Sequence, residues 1–220
     1  MLLFSCNTAG GKIIRTYTGS VYGKSALIDD YLDHAGMVLK FEEHPNDVFF
    51  LEATSNNGVC LRRWSNIKKE IGRFYRKITI RHIDWERTEE SLVNLEAFMR
   101  EVVGSAYSFS FKQLFKRQTQ IVRKGQADPF EKVEPRQKSS TIVDATTSES
   151  ELEEKVRLVE EGRAFFCSEL VAKCWKVCGL MKPTDEACSN FLPYNFTTEK
   201  QTINLIDAIK WEHEALIFGF

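Results

Sequence analysis

The sequence predicts an α+β fold in which an antiparallel sheet packs against two helices. Three observations carry that expectation. Two strand-like runs flank a turn between residues 35 and 54. An amphipathic helix pattern follows Thr88. A second helix pattern begins at Cys167 and stops at Gly179.

Ala35-Gly-Met-Val-Leu-Lys-Phe41 and Val48-Phe-Phe-Leu-Glu-Ala-Thr54 are rich in strand formers. Glu42 to Asp47 separates them and reads as a turn, so the two form a hairpin. Asn56-Asn57-Gly58 turns the chain into Val59-Cys-Leu-Arg-Arg63, and Lys77-Ile-Thr-Ile-Arg81 is a further short strand. Thr88 caps the next helix, and Glu89 and Glu90 suit its positive end. Leu92, Leu95, Phe98, Met99 and Val102 are expected as its apolar stripe, with Gly104 as its stop.

Residues 118–147 are polar, contain Pro129 and Pro135, and offer few large apolar side chains. Such a stretch cannot offset its own ordering entropy. It is expected as a mobile insertion within one domain spanning 1–220. Ser148 and Glu151 have capping-box spacing, which predicts a short helix ending at Gly162. Leu170, Val171, Cys174, Val177 and Cys178 recur at helical intervals after Cys167. Residues 199–220 fit helix or strand equally.

The composition narrows the function classes. With 30 basic and 31 acidic residues the net charge is −1, which gives no electrostatic reason to expect a nucleic-acid partner. No window approaches the ~20 apolar residues of a membrane span. No signal peptide is legible at Met1-Leu-Leu-Phe-Ser-Cys6. The six cysteines show no regular spacing, so they are read as reduced thiols of a cytoplasmic protein. Sixteen Phe imply a deep aromatic core or a ring-lined groove.

Cys167 stands out by position. It opens a helix, where unpaired N–H groups and the macrodipole favour a thiolate and can hold an oxyanion. The alternative is an inert core cysteine at a helix start. His34 has apolar strand residues around it, whereas His44 lies in a turn and His82 and His213 lie in charged stretches. It is the candidate base. Its alternative is an ordinary histidine at a strand end. Glu52 sits inside Phe49-Phe50-Leu51-Glu52-Ala53, where a charge is costly unless paired. If Lys40 pairs with Val48, Gly36 faces Glu52 and His34 becomes its diagonal neighbour on the same face. Otherwise Glu52 is an edge residue facing water. Gly36 itself would admit the close approach of another backbone or a substrate.

Taken in order, Asp33-His34-Ala35-Gly36-Met37-Val38, Phe50-Leu51-Glu52-Ala53, Gly58-Val59, Tyr107 and Cys167-Ser168-Glu169-Leu170-Val171 resemble the circularly permuted NlpC-type branch of papain-like hydrolases. The resemblance runs from about residue 1 to Pro193-Tyr194-Asn195-Phe196 and skips the insertion. It implies a permuted papain-like fold with Cys167 as nucleophile, His34 as base, Glu52 as orienting carboxylate and Tyr107 beside the substrate. Ser108 follows that tyrosine, where the family often has Asp. The implied chemistry is cleavage or transfer at amide, ester or thioester carbonyls, with no cofactor and no metal. Peptide and lipid acyl substrates both remain open, as does a non-catalytic binding module that keeps the fold, and the oligomeric state is left open.

Other signals are weaker. Gly19-Ser-Val-Tyr-Gly23-Lys24-Ser25 is one residue short of a phosphate loop. Cys174, Cys178, Cys188 and His213 fit no common zinc spacing. The basic run from Lys112 to Arg117 is a solvated face, and the four Trp are packing residues.

Overall fold

A computed structural model describes residues 1–22, 32–107, 164–183, 186–199 and 202–219. All of them fall in one folded unit built from Met1–Phe109 and Ala164–Phe220. The expected insertion at 118–147 and the helix at 148–162 lie outside the described residues.

The fold is mixed α and β, with a six-stranded antiparallel sheet. Its strands are β1 (Leu2–Cys6), β2 (His34–Leu39), β3 (Phe49–Thr54), β4 (Gly58–Arg63), β5 (Tyr75–Ile80) and β10 (Ala215–Phe218). Their order across the sheet is β10-β5-β1-β2-β3-β4. Helix α1 (Ala9–Tyr22) links β1 towards β2, and the short α2 (Trp64–Ile67) follows β4. Strand β6 (Ile83–Asp84) leads to α3 (Glu89–Val102) and then β7 (Ala106–Tyr107). Further along the chain come β8 (Ala164–Phe165) and α4 (Cys167–Val177). The C-terminal stretch carries β9 (Lys210–Trp211), paired with β6, before β10.

The β2–β3 hairpin pairs Gly36 with Glu52, Met37 with Leu51 and Val38 with Phe50. This is the register that makes His34 and Glu52 diagonal neighbours. Alternation along β2 then sorts its side chains. Ala35, Met37 and Leu39 join the larger core cluster with Leu170, Val171 and Trp175 of α4. Val38 joins the smaller cluster on the other face, with Phe4, Phe50 and Ile78, and the His34 ring lies tilted to Phe4 and edge-on to Phe50 there.

Thr88 caps α3 by accepting the Ser91 N–H at 3.2 Å, and Gly104 follows at φ 94° as the left-handed stop. The expected stripe holds at Leu95 and Val102, which are buried, and at Phe98 and Met99, which pack against the core, but not at Leu92. Ser91 is buried, with its hydroxyl bonded to the Thr88 carbonyl at 2.8 Å, while Leu92 is 45% exposed. The helix packs chiefly on α4, so its buried face is set by that helix rather than by the sheet alone. Among the described residues, no helix is long and apolar enough to cross a membrane.

Candidate active site

The site begins where two short strands distant in sequence meet. β7 and β8 pair in parallel, Ala106 with Ala164 and Tyr107 with Phe165. That pairing brings Tyr107 beside the segment leading into α4. Phe165 and Phe166 are both buried, and Phe166 is the extended N-cap at φ −84°, ψ 151°. Cys167 is therefore the first residue of a helix anchored by two aromatic rings. Unpaired first-turn N–H groups favour an anion at that point.

His34 opens β2 in contact with this thiol. One ring nitrogen, Nε2, lies 2.7 Å from Glu52 Oε2. The other is left for Cys167, with which the imidazole is hydrogen-bonded. Burial works against an imidazolium, but the Cys167 and Glu52 charges outweigh it and raise His34 to about 10. Burial likewise opposes the Glu52 carboxylate. Its bonds and charges from His34 and Arg62 hold it below the ordinary carboxylate value all the same. The three residues singled out by sequence thus form one hydrogen-bonded run.

Gly36 admits protein rather than substrate. A Cβ there would lie 2.4 Å from the Phe50 ring and 2.7 Å from the Leu51 carbonyl oxygen. The missing side chain lets Phe50 close over β2 directly opposite Glu52.

A cleft of about 590 Å³ opens over His34 and Tyr107. Thr8, just before α1, with Gly10 and Gly11 in its first turn, forms one wall, and the β3–β4 turn at Asn56 and Asn57 forms another. Arg62, Glu70, Phe74 and Tyr75 close the far side. Phe74 is the one Phe among the described lining residues. Phe4, Phe49, Phe50, Phe165, Phe166, Phe191 and Phe196 are buried in the core instead. Burial, and then the nearby Cys167 charge, push the Tyr107 hydroxyl above its ordinary value, so it remains a hydrogen-bond donor in the cleft.

The other five thiols are all pushed upwards, in each case first by burial. Cys60 and Cys178 rise to about 11. Cys174 and Cys188 rise as well, and Cys6 lies well above the ordinary thiol, with Asp33 adding to the effect. Among the described residues, no group of three or more His, Cys, Asp or Glu is placed to hold a metal ion.

Several site residues were not apparent from sequence. Asp33 accepts the Cys6 N–H on both oxygens and pairs with the fully buried Arg15, which also donates to the Cys6 carbonyl. This ties α1, β1 and the start of β2 together behind His34. Arg62 donates to Glu52 Oε1 at 3.0 Å and to Glu70 Oε1 at 2.5 Å. Its signal was present. Glu52 pairs with Cys60 across β3 and β4, so Arg62 is its diagonal neighbour on that side, as His34 is on the other.

No protein-family model matches the chain, and a search of curated proteins finds no relative.

Proposed function

We propose that this chain is a cysteine-dependent hydrolase or acyltransferase, of the permuted papain-like arrangement, that forms an acyl-enzyme on Cys167. The observation that carries this reading is the hydrogen-bonded run Cys167–His34–Glu52, with the thiol at a helix N-terminus. His34 takes the thiol proton, and the resulting thiolate attacks a substrate carbonyl carbon. The tetrahedral oxyanion is met by first-turn N–H groups of α4 and by the Tyr107 hydroxyl. As the intermediate collapses, the carbon–leaving-group bond breaks and His34 returns its proton to the departing amine, alcohol or thiol. Water or an acceptor then releases the acyl group by the same steps in reverse, and Glu52 orients the imidazole and stabilises its charge.

Thr8, Asn56, Asn57, Arg62 and Glu70 on the cleft walls offer hydrogen-bonding groups to a peptide-like acyl substrate, while Ile14, Phe74 and Tyr75 offer it apolar surface. One observation favours a second reading, a binding module that keeps the fold: Cys167 is only 1% exposed. One experiment separates the two. The native protein is treated with a limiting dose of iodoacetamide near pH 6, and separately with activated acyl esters, and then mapped by peptide mass. The catalytic reading expects Cys167 to be modified first, with labelling slowed in His34→Ala. Labelling spread over the cysteines, or indifferent to His34, overturns it and leaves the binding module.

A further inference from the structure

Glu52 is fully buried, and both its oxygens are engaged. Oε2 meets His34. Oε1 meets Arg62, whose second terminal nitrogen reaches Glu70 on the turn Lys68–Glu70. The order Cys167, His34, Glu52, Arg62, Glu70 therefore alternates in the sign each group carries when the thiol is ionised. We propose that Arg62 is a positioning residue for this site, holding Glu52 ionised and aimed at His34, with Glu70 anchoring Arg62 from the cleft side. This deepens the reading of the site given above and rests on it.

The argument is geometric first. A carboxylate held on one oxygen only can rotate about its terminal bond. Arg62 closes off that rotation from the strand edge opposite His34. It also brings a permanent positive charge within 3.0 Å of a group that burial would otherwise neutralise. The remaining charged or titratable neighbours do not replace it. Cys60 on β4, Tyr75 on β5 and Cys6 on β1 are all held in the neutral form by burial and by Glu52 itself. Glu70 carries the same sign as Glu52 and shares Arg62 with it, so it cannot take the place of that cation. Arg62 does not touch the proposed reacting atoms, and its action runs through Glu52.

The test uses the full chain with ¹³C-labelled glutamate, the Glu52 carboxyl resonance being identified by its loss in Glu52→Gln. Arg62→Gln is expected to move the Glu52 titration midpoint upwards by about one pH unit or more, the usual effect of losing an adjacent opposite charge. It is also expected to slow iodoacetamide labelling of Cys167 near pH 6 by about tenfold, with no further loss when combined with Glu52→Gln. Arg62→Lys should recover part of both effects. Glu70→Gln, at a side chain 32% exposed, should move the midpoint down, because Arg62 then gives its charge to Glu52 alone. That variant decides the matter if Arg62→Gln does not fold. An unmoved Glu52 midpoint in these variants overturns the proposal. So does full Cys167 labelling in folded Arg62→Gln, or additive losses in the double variant. If Cys167 of the unmodified chain shows no preferential labelling, the catalytic reading itself falls, and the positioning role falls with it.

Discussion

Glu52 carries charge at a place with no solvent exposure, and its two partners explain how. Its pKa lies below the ordinary value of 4.5, so its ion pairs contribute stability that is complete above that value. That stability is lost as the pH falls through the lower folded value, where the carboxylate takes up a proton. Glu52→Gln keeps the shape and removes the charge. Its melting temperature is therefore expected to fall below that of the parent chain at neutral pH. The gap should narrow as the pH is lowered beneath 4.5 and close once the pH is below the folded value, where the parent carboxyl is also neutral. Thermal melts of both chains across that range check this; a constant gap would mean that the charge of Glu52 is not what stabilises it. The same variant should label more slowly at Cys167, because the imidazolium loses its counter-ion.

At the scale of elements, the legible parts were those whose cause is local. The hairpin register follows from period-two alternation, and α3 and α4 follow from a cap and two stop glycines. β1 and α1 were not legible. Helix α1 contains Gly10 and Gly11 and has no acidic residue in its first turn, so its local preference is poor. It is held by the long-range tie from Arg15 to Asp33 and the Cys6 carbonyl. The turn at Gly58 is legible as a turn, but its second task is not. Gly58 has φ +63°, and a Cβ there would lie 2.2 Å from the Ser105 carbonyl oxygen. That carbonyl accepts the Val59 N–H at 2.8 Å and docks the segment leading to Tyr107. Gly58→Ala should therefore cost about 3 kcal/mol, combining left-handed strain with a backbone clash. Gly72→Ala is the control, since Gly72 also has positive φ (+82°) but open space around it. It should cost only about 1 kcal/mol. Denaturant melts of the two variants compare them, and equal losses would mean that close approach at Gly58 contributes nothing.

For the whole molecule, the sheet has a large core cluster on one face, under α4, and a smaller one on the other, beside the cleft. The proposed dyad sits where β2 begins and α4 begins, so its geometry depends on how the two halves of the chain dock. Arg81 is central to that docking and was read from sequence only as the end of a strand. It is 1% exposed. Its Nε donates to the Glu212 carbonyl at 2.7 Å and its Nη1 to the Phe196 carbonyl at 2.8 Å. The guanidinium lies 3.4 Å from the centroid of the Trp211 ring, which packs edge-on against Trp175 of α4. These partners lie 115 and 131 residues away for the two carbonyls, beyond the reach of any periodicity argument. Arg81→Met fills similar volume but leaves both carbonyls without their charged donor. The expected loss is about 3 kcal/mol, because bonds from a charged donor count for more than neutral ones and the acceptors stay buried. In a chain of this size that corresponds to a fall of roughly 6–12 °C in melting temperature. Arg81→Lys keeps the charge without the fork and should lose less. Cys167 labelling should remain selective in both variants below their melting points, since the core that Ala35 of β2 shares with Leu170 and Val171 of α4 still holds the dyad together in the folded chain. An Arg81→Met chain that melts with the parent would show that the C-terminal stretch is held by its apolar contacts alone.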